Sequence, residues 1–172
     1  GILPYAPDIH VDAEDSQGMS DRGHGLLEVA VVALPTVANF TDVEQLGAEP
    51  DVRVRYVKRA DDLGNPDLVV LPGARDTLLG LEFLRQTGLD RAVRAAAARS
   101  IPVLGLCGGF QLLGEQVGGA AGLGLLPVTT AFQADKQIAP RTGRTAAGWL
   151  LPEGLPVEGY EIHLGRTGAV AP

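Results

Sequence analysis

The chain has 172 residues, 45% of them hydrophobic and only 20% charged, which excludes a disordered or highly charged polypeptide and suits one domain with a substantial core. A formal net charge of −7 with no basic run argues against a nucleic-acid or anionic-membrane partner, since either needs a basic face. No apolar stretch approaches the ~20 residues of a membrane span, so a cytosolic protein is expected; one cysteine and three scattered histidines offer neither a disulfide framework nor metal-ligand spacing.

Residues 1–25 mix prolines, glycines and short polar runs without a helical or strand period. They read as an arm or linker joined to something upstream, with His10 and His24 as exposed loop histidines. From Glu28 the pattern becomes regular. Val29 to Leu34 is a buried-strand run, Thr41 to Leu46 a short helix capped near Thr41 or Asp42, and Val52 to Val57 a second strand. A third strand, Asp67 to Leu71, stops at Pro72-Gly73. Helices follow from about Thr77 to Gln86, stopping near Gly88, and from Asp90 to Arg99. The fourth strand, Ile101 to Leu106, runs into Cys107-Gly108-Gly109, and Phe110 to Glu115 reads as the start of a helix. Beyond it, Gly122 to Phe132 reads as a turn and an apolar strand, 133–144 as a polar stretch including Lys136, and Val157 to Leu164 as a last strand-like piece. Strands alternating with helices over short connections predict an α/β fold: a mostly parallel sheet covered by helices on both faces, with its site at the strands' C-terminal ends.

Pro72-Gly73 and Cys107 both lie at such ends. Cys107 sits at a strand-to-helix elbow, where Gly105, Gly108 and Gly109 permit a sharp turn and push the thiol out over the sheet. A lone cysteine often only packs in a core, but a packing cysteine has no need of glycines on both sides. A nucleophile approached by substrate and by backbone N–H donors does. The N–H groups of Gly73 and Gly108 can point into the space above the thiol and serve as an oxyanion hole, each donor worth on the order of 3 kcal/mol to a transition state. A plain turn glycine at 73 stands beside that reading.

Four stretches together carry a family resemblance: Val70-Leu71-Pro72-Gly73-Ala74-Arg75-Asp76-Thr77, residues 105–114 around Gly-Leu-Cys-Gly-Gly-Phe-Gln, Gly122-Leu123-Gly124-Leu125-Leu126-Pro127, and Gly159-Tyr160-Glu161-Ile162-His163-Leu164-Gly165-Arg166-Thr167. They resemble the class I glutamine amidotransferase domain of the cobyric acid synthase family, a flavodoxin-like α/β fold, over nearly the whole chain. The resemblance implies an arm over 1–25 leading from an upstream synthetase domain, and an amidotransferase domain over 26–172. It implies hydrolysis of glutamine and delivery of ammonia to that ATP- and magnesium-dependent partner, which amidates adenosylcobyrinic acid a,c-diamide in cobalamin biosynthesis. No cofactor is implied in this domain. Cys107 matches the family's nucleophile, Gly73 and Gly108 its oxyanion positions, and Gln111 with Gly109 its glutamine contacts.

Two departures accompany the match. The family's general base is a histidine in a Tyr-x-His-Gly context downstream of the Gly-Tyr-Glu-Ile-His element, and no such segment follows here, so the domain is expected to be incomplete at its C-terminus. His163 belongs to the earlier element; it is the base candidate within this chain, although the resemblance ties it first to shaping the site or a domain interface. Residues 116–122 are also shorter than the family's usual loop. The alternatives are a glutaminase serving amidation of peptidoglycan lipid precursors, which shares the elbow, and an inert amidotransferase-like binding domain.

Overall fold

The computed structural model of the chain describes residues 21–38, 42–147 and 152–170. Residues 1–20 of the expected arm, His10 among them, and the expected cap Thr41 lie outside the described residues.

Four parallel strands, β1 (Leu27–Val32), β2 (Val52–Val57), β3 (Leu68–Leu71) and β4 (Val103–Gly105), form a sheet in the order β2-β1-β3-β4. Successive strand side chains point to opposite faces, and both faces of the sheet are covered, so β1 beyond Glu28 and β3 are apolar runs, whereas the edge strand β2 alternates valine with Arg53 and Arg55. In β1, Ala30 and Val32 join a core with Leu81 and Leu84 of α2 (Thr77–Thr87) and Leu89, Val93 and Ala96 of α3 (Leu89–Ala98). Val29 and Val31 face the other way, against Val43 and Leu46 beside and within α1 (Glu44–Ala48). Helices therefore cover both faces.

Asp76 caps α2 by accepting the Leu79 N–H at 2.9 Å. Gly88, at φ 73°, ends α2 and starts α3 in one left-handed residue. At α1 the expected start moves: the helix opens at Glu44 with no side-chain cap, and the Glu44 carboxylate turns inward to Arg22 at 2.7 Å. Arg22 in turn exchanges both backbone hydrogen bonds with Val54, so residues 21–23 of the expected arm lie along the outer edge of β2 and cover it. His24 is exposed, as expected.

The expected helix after Cys107 is shorter in the structure. α4 (Gly108–Leu113) has six residues, and Gly114 turns straight into β5 (Gly114–Val117), which pairs in parallel with β7 (Leu126–Arg144) and antiparallel with the two-residue β6 (Ala120–Ala121). Two glycines in six residues make a weak helix, and strand pairing takes over where it ends. The polar stretch 133–144 is the larger surprise: it continues β7 to 19 residues, paired antiparallel with β8 (Pro156–Ala169). Period-two alternation is muted there because the ribbon pairs only with itself and buries little on either face, leaving polar residues free to stand on both. A register shift between Phe132 and Gln137 bends this ribbon. Among the described residues no helix is long and apolar enough to cross a membrane.

Candidate active site

β3 and β4 are neighbours, so their C-terminal ends bring Pro72-Gly73 and Cys107 together. Cys107 has φ 48° and ψ −110°, outside the regions that L-residues favour, and its side chain is exposed. The turn is held at its base: the Leu106 N–H donates to the Leu71 carbonyl, and the Gly109 N–H closes back onto the Leu106 carbonyl at 2.8 Å. A Cβ at Gly109 would stand 2.0 Å from the Leu71 carbonyl oxygen, so only glycine lets the elbow sit this close to β3. Such geometry aims a thiol away from the sheet and into solvent.

A cavity of about 690 Å³ opens over the thiol, between the elbow and the β7–β8 ribbon. A second space of about 530 Å³ reaches Cys107 from the side of Asp76 and Thr77. Gln111, His163 and Gly165 line both. Gln111 is buried on α4 and its Oε1 accepts from the Thr77 hydroxyl at 3.0 Å, which ties the elbow helix to the start of α2. β8 crosses above at Gly165, where a Cβ would meet the Gln111 Nε2 at 2.8 Å. The missing side chain lets the strand lie directly over the elbow.

The expected residues divide by position. Gly73 lies against the thiol: a Cβ there would be 3.8 Å from the Cys107 Cβ, and its carbonyl is occupied by the Ala38 N–H at 2.9 Å. Gly108 opens α4 and lines the second space, and an N–H at a helix start has no partner within its own helix. Gly109 is elsewhere. It sits behind the thiol against Leu71 and Pro72, outside both linings, with its N–H committed to Leu106.

His163 shares the cavity with Cys107 but is bound to the ribbon. Its Nε2 donates to the Glu161 carboxylate at 2.5 Å, while its Nδ1 is buried with no hydrogen-bond partner among the described residues. Glu161 also accepts from Arg141 across the ribbon. The hydrogen bond from His163 first, then that from Arg141, holds the Glu161 carboxyl below its usual 4.5. Sequence reasoning did not find Arg141 or Glu161 as site residues. The signal was present for one: Glu161 and His163 are two apart on a strand and so share a face. Arg141 was hidden because its strand was not recognised. Among the described residues no cluster of three or more His, Cys, Asp or Glu side chains could hold a metal ion.

A parallel α/β sheet with a cysteine at a strained strand-to-helix elbow and a long ribbon across it has the class I glutamine amidotransferase-like architecture. Two solved structures share that fold: a glutamine amidotransferase (TM-score 0.55, 20% identity, 67% of this chain and 62% of that one) and PurLQS from Thermotoga maritima (TM-score 0.63, 19% identity, 84% and 70%). The chain belongs to the CobB/CobQ-like glutamine amidotransferase domain family, which matches residues 28–172. Among its relatives are the cobyric acid synthases of Desulforudis audaxviator, 50% identical over 96% of this chain, and of Mycolicibacterium gilvum, 45% identical over 96%. The chain spans 35% of the length of each.

Proposed function

We propose that this domain is the glutaminase of a cobyric acid synthase. It supplies ammonia to an ATP- and magnesium-dependent synthetase domain that amidates carboxylates of adenosylcobyrinic acid a,c-diamide. The observation that carries the chemistry is Cys107 itself: an exposed thiol on a strained elbow, under a cavity that also contains Gln111 and His163. The acceptor and the synthetase rest on relatives named cobyric acid synthase, 40–50% identical over nearly the whole of this chain.

In this reading the Cys107 sulfur attacks the side-chain carbonyl carbon of glutamine, and the Gly73 and Gly108 N–H groups receive the developing oxyanion. Collapse breaks the carbon–nitrogen bond, and the nitrogen leaves as ammonia with the proton that the Cys107 thiol gave up. Water then cleaves the γ-glutamyl thioester, giving glutamate and the free thiol. Gln111, fixed by Thr77, supplies an amide to the bound side chain. Gly109 acts as a packing residue of the elbow.

One observation favours the inert alternative. Among the described residues, His163 is the histidine in the cavity, and neither of its nitrogens is free toward the thiol: one is on Glu161 and the other is buried. General-base work by His163 therefore requires its ring to leave Glu161. Glutamate release from glutamine, with Cys107→Ala and His163→Ala beside the unsubstituted protein, tests the reading. Loss in the first variant is expected; loss in the second assigns the base to His163, and retention assigns it elsewhere. No cysteine-dependent release from the intact polypeptide carrying these residues would leave the inert domain.

A further inference from the structure

The two faces of the β7–β8 ribbon differ in character. Exposure along β8 alternates with a period of two: Glu161, His163, Gly165 and Thr167 turn inward on the side of the elbow, and Tyr160, Ile162, Leu164 and Arg166 turn outward. Residues directly opposite in an antiparallel pair share a face, so Ile138 stands beside Ile162, and Pro140 beside Tyr160, on the outer side. Ile138, Tyr160, Ile162 and Leu164 are 48–78% exposed. Together with Pro140 they make a continuous apolar strip, and Ile162 and Leu164 also border the spaces beside Cys107, so the strip runs up to the rim of the site. From Gln137 onward the ribbon pairs only with itself among the described residues. A two-stranded ribbon with nothing packed on it is marginal in water, and a contiguous exposed apolar patch marks a contact site.

Resting on the glutaminase reading, we propose that this outer face of the ribbon is the surface on which the synthetase part of the same polypeptide docks, through an apolar face of its own. Three observations commit the strip to that occupant. The chain spans 35% of the length of its cobyric acid synthase relatives, so most of such a polypeptide lies outside it. The strip reaches the rim of the space over Cys107, and ammonia that escapes into water takes up a proton and stops being a nucleophile, so the part that receives it has to close against the mouth of the site. The five side chains of the strip are uncharged, which suits a packed protein contact rather than an electrostatic one.

The test reads the ribbon in the intact polypeptide carrying these residues. Hydroxyl-radical footprinting, followed by peptide mass spectrometry, measures how fast Tyr160 is oxidised. Covered by the synthetase part, Tyr160 is expected to react several-fold more slowly than in a free peptide spanning residues 156–164. Ile138→Asp, which sets a carboxylate against the apolar partner, should bring the rate back toward that of the peptide. In the same variant glutamine-driven amidation of adenosylcobyrinic acid a,c-diamide should fall about tenfold or more, the effect of losing about 1.4 kcal/mol of contact, while glutamate release and ammonium-driven amidation are kept. Tyr160 oxidised at the peptide's rate in the unsubstituted polypeptide overturns the proposal, and so does unchanged glutamine-driven amidation in Ile138→Asp. Protection of Tyr160 that is lost on dilution to a monomer assigns the face to a second copy and overturns it as well. Absence of glutamate release, with Tyr160 still protected, overturns the glutaminase reading and leaves the docking surface in place.

Discussion

Cys107 is held at φ 48° and ψ −110°, a conformation costing a non-glycine residue about 1–3 kcal/mol. Its side chain is exposed, so little packing is lost on replacing it. Cys107→Gly is therefore expected to raise stability by about 1 kcal/mol or more in urea unfolding, whereas Cys107→Ala, which keeps the Cβ, should not. Equal midpoints for the two variants would show that the elbow stores no strain. Glu161 makes a second prediction. Its carboxyl titrates below 4.5 in the folded protein and at the ordinary value in the unfolded chain. Between those two values the unfolded chain binds more protons, so stability rises with pH across that window and is level above it. Its contribution is complete above 4.5 and is lost as the pH falls through the folded value. Unfolding midpoints taken downward from neutral pH should show that slope, and Glu161→Gln should remove it.

Among the elements, α2 and α3 were legible in the sequence, with Gly88 marking the boundary between them. The structure adds the Asp76 cap of α2, and replacing Asp76 by alanine should cost about 1 kcal/mol of stability without touching the elbow directly. A loss well beyond 2 kcal/mol would mean that the adjoining Thr36 contacts depend on the same side chain. α1 was misplaced because its end is set by a tertiary contact: Glu44 is buried against Arg22, twenty-two positions away, and no local pattern announces that. Arg22→Ala leaves that carboxylate without this partner; with Arg22 itself partly exposed, a destabilisation of about 1–3 kcal/mol is expected in the same assay. The β7–β8 ribbon was half legible. Its apolar ends marked strands, but its polar middle carries no signal, since a strand that buries neither face places no demand on residue type.

At the scale of the molecule, a parallel sheet with Pro72-Gly73 and Cys107 at its C-terminal ends was legible from short connections and apolar runs, whereas the order β2-β1-β3-β4 that makes their strands neighbours comes from the structure. The site was legible where chemistry concentrates in adjacent residues, as at Gly-Leu-Cys-Gly-Gly-Phe-Gln. It was not legible where strands far apart in the chain meet, as Arg141, Glu161 and His163 do. Gly109 shows the converse: the family resemblance implied a glutamine contact there, while in the structure it seats the elbow on β3. The central claim is that Cys107 produces ammonia for a partner reaction. It is tested most directly by amidation of adenosylcobyrinic acid a,c-diamide by the intact polypeptide carrying these residues, comparing glutamine with ammonium as nitrogen donor. The account predicts that Cys107→Ala abolishes the glutamine-driven reaction and leaves the ammonium-driven one; glutamine-driven amidation that survives the substitution would contradict it.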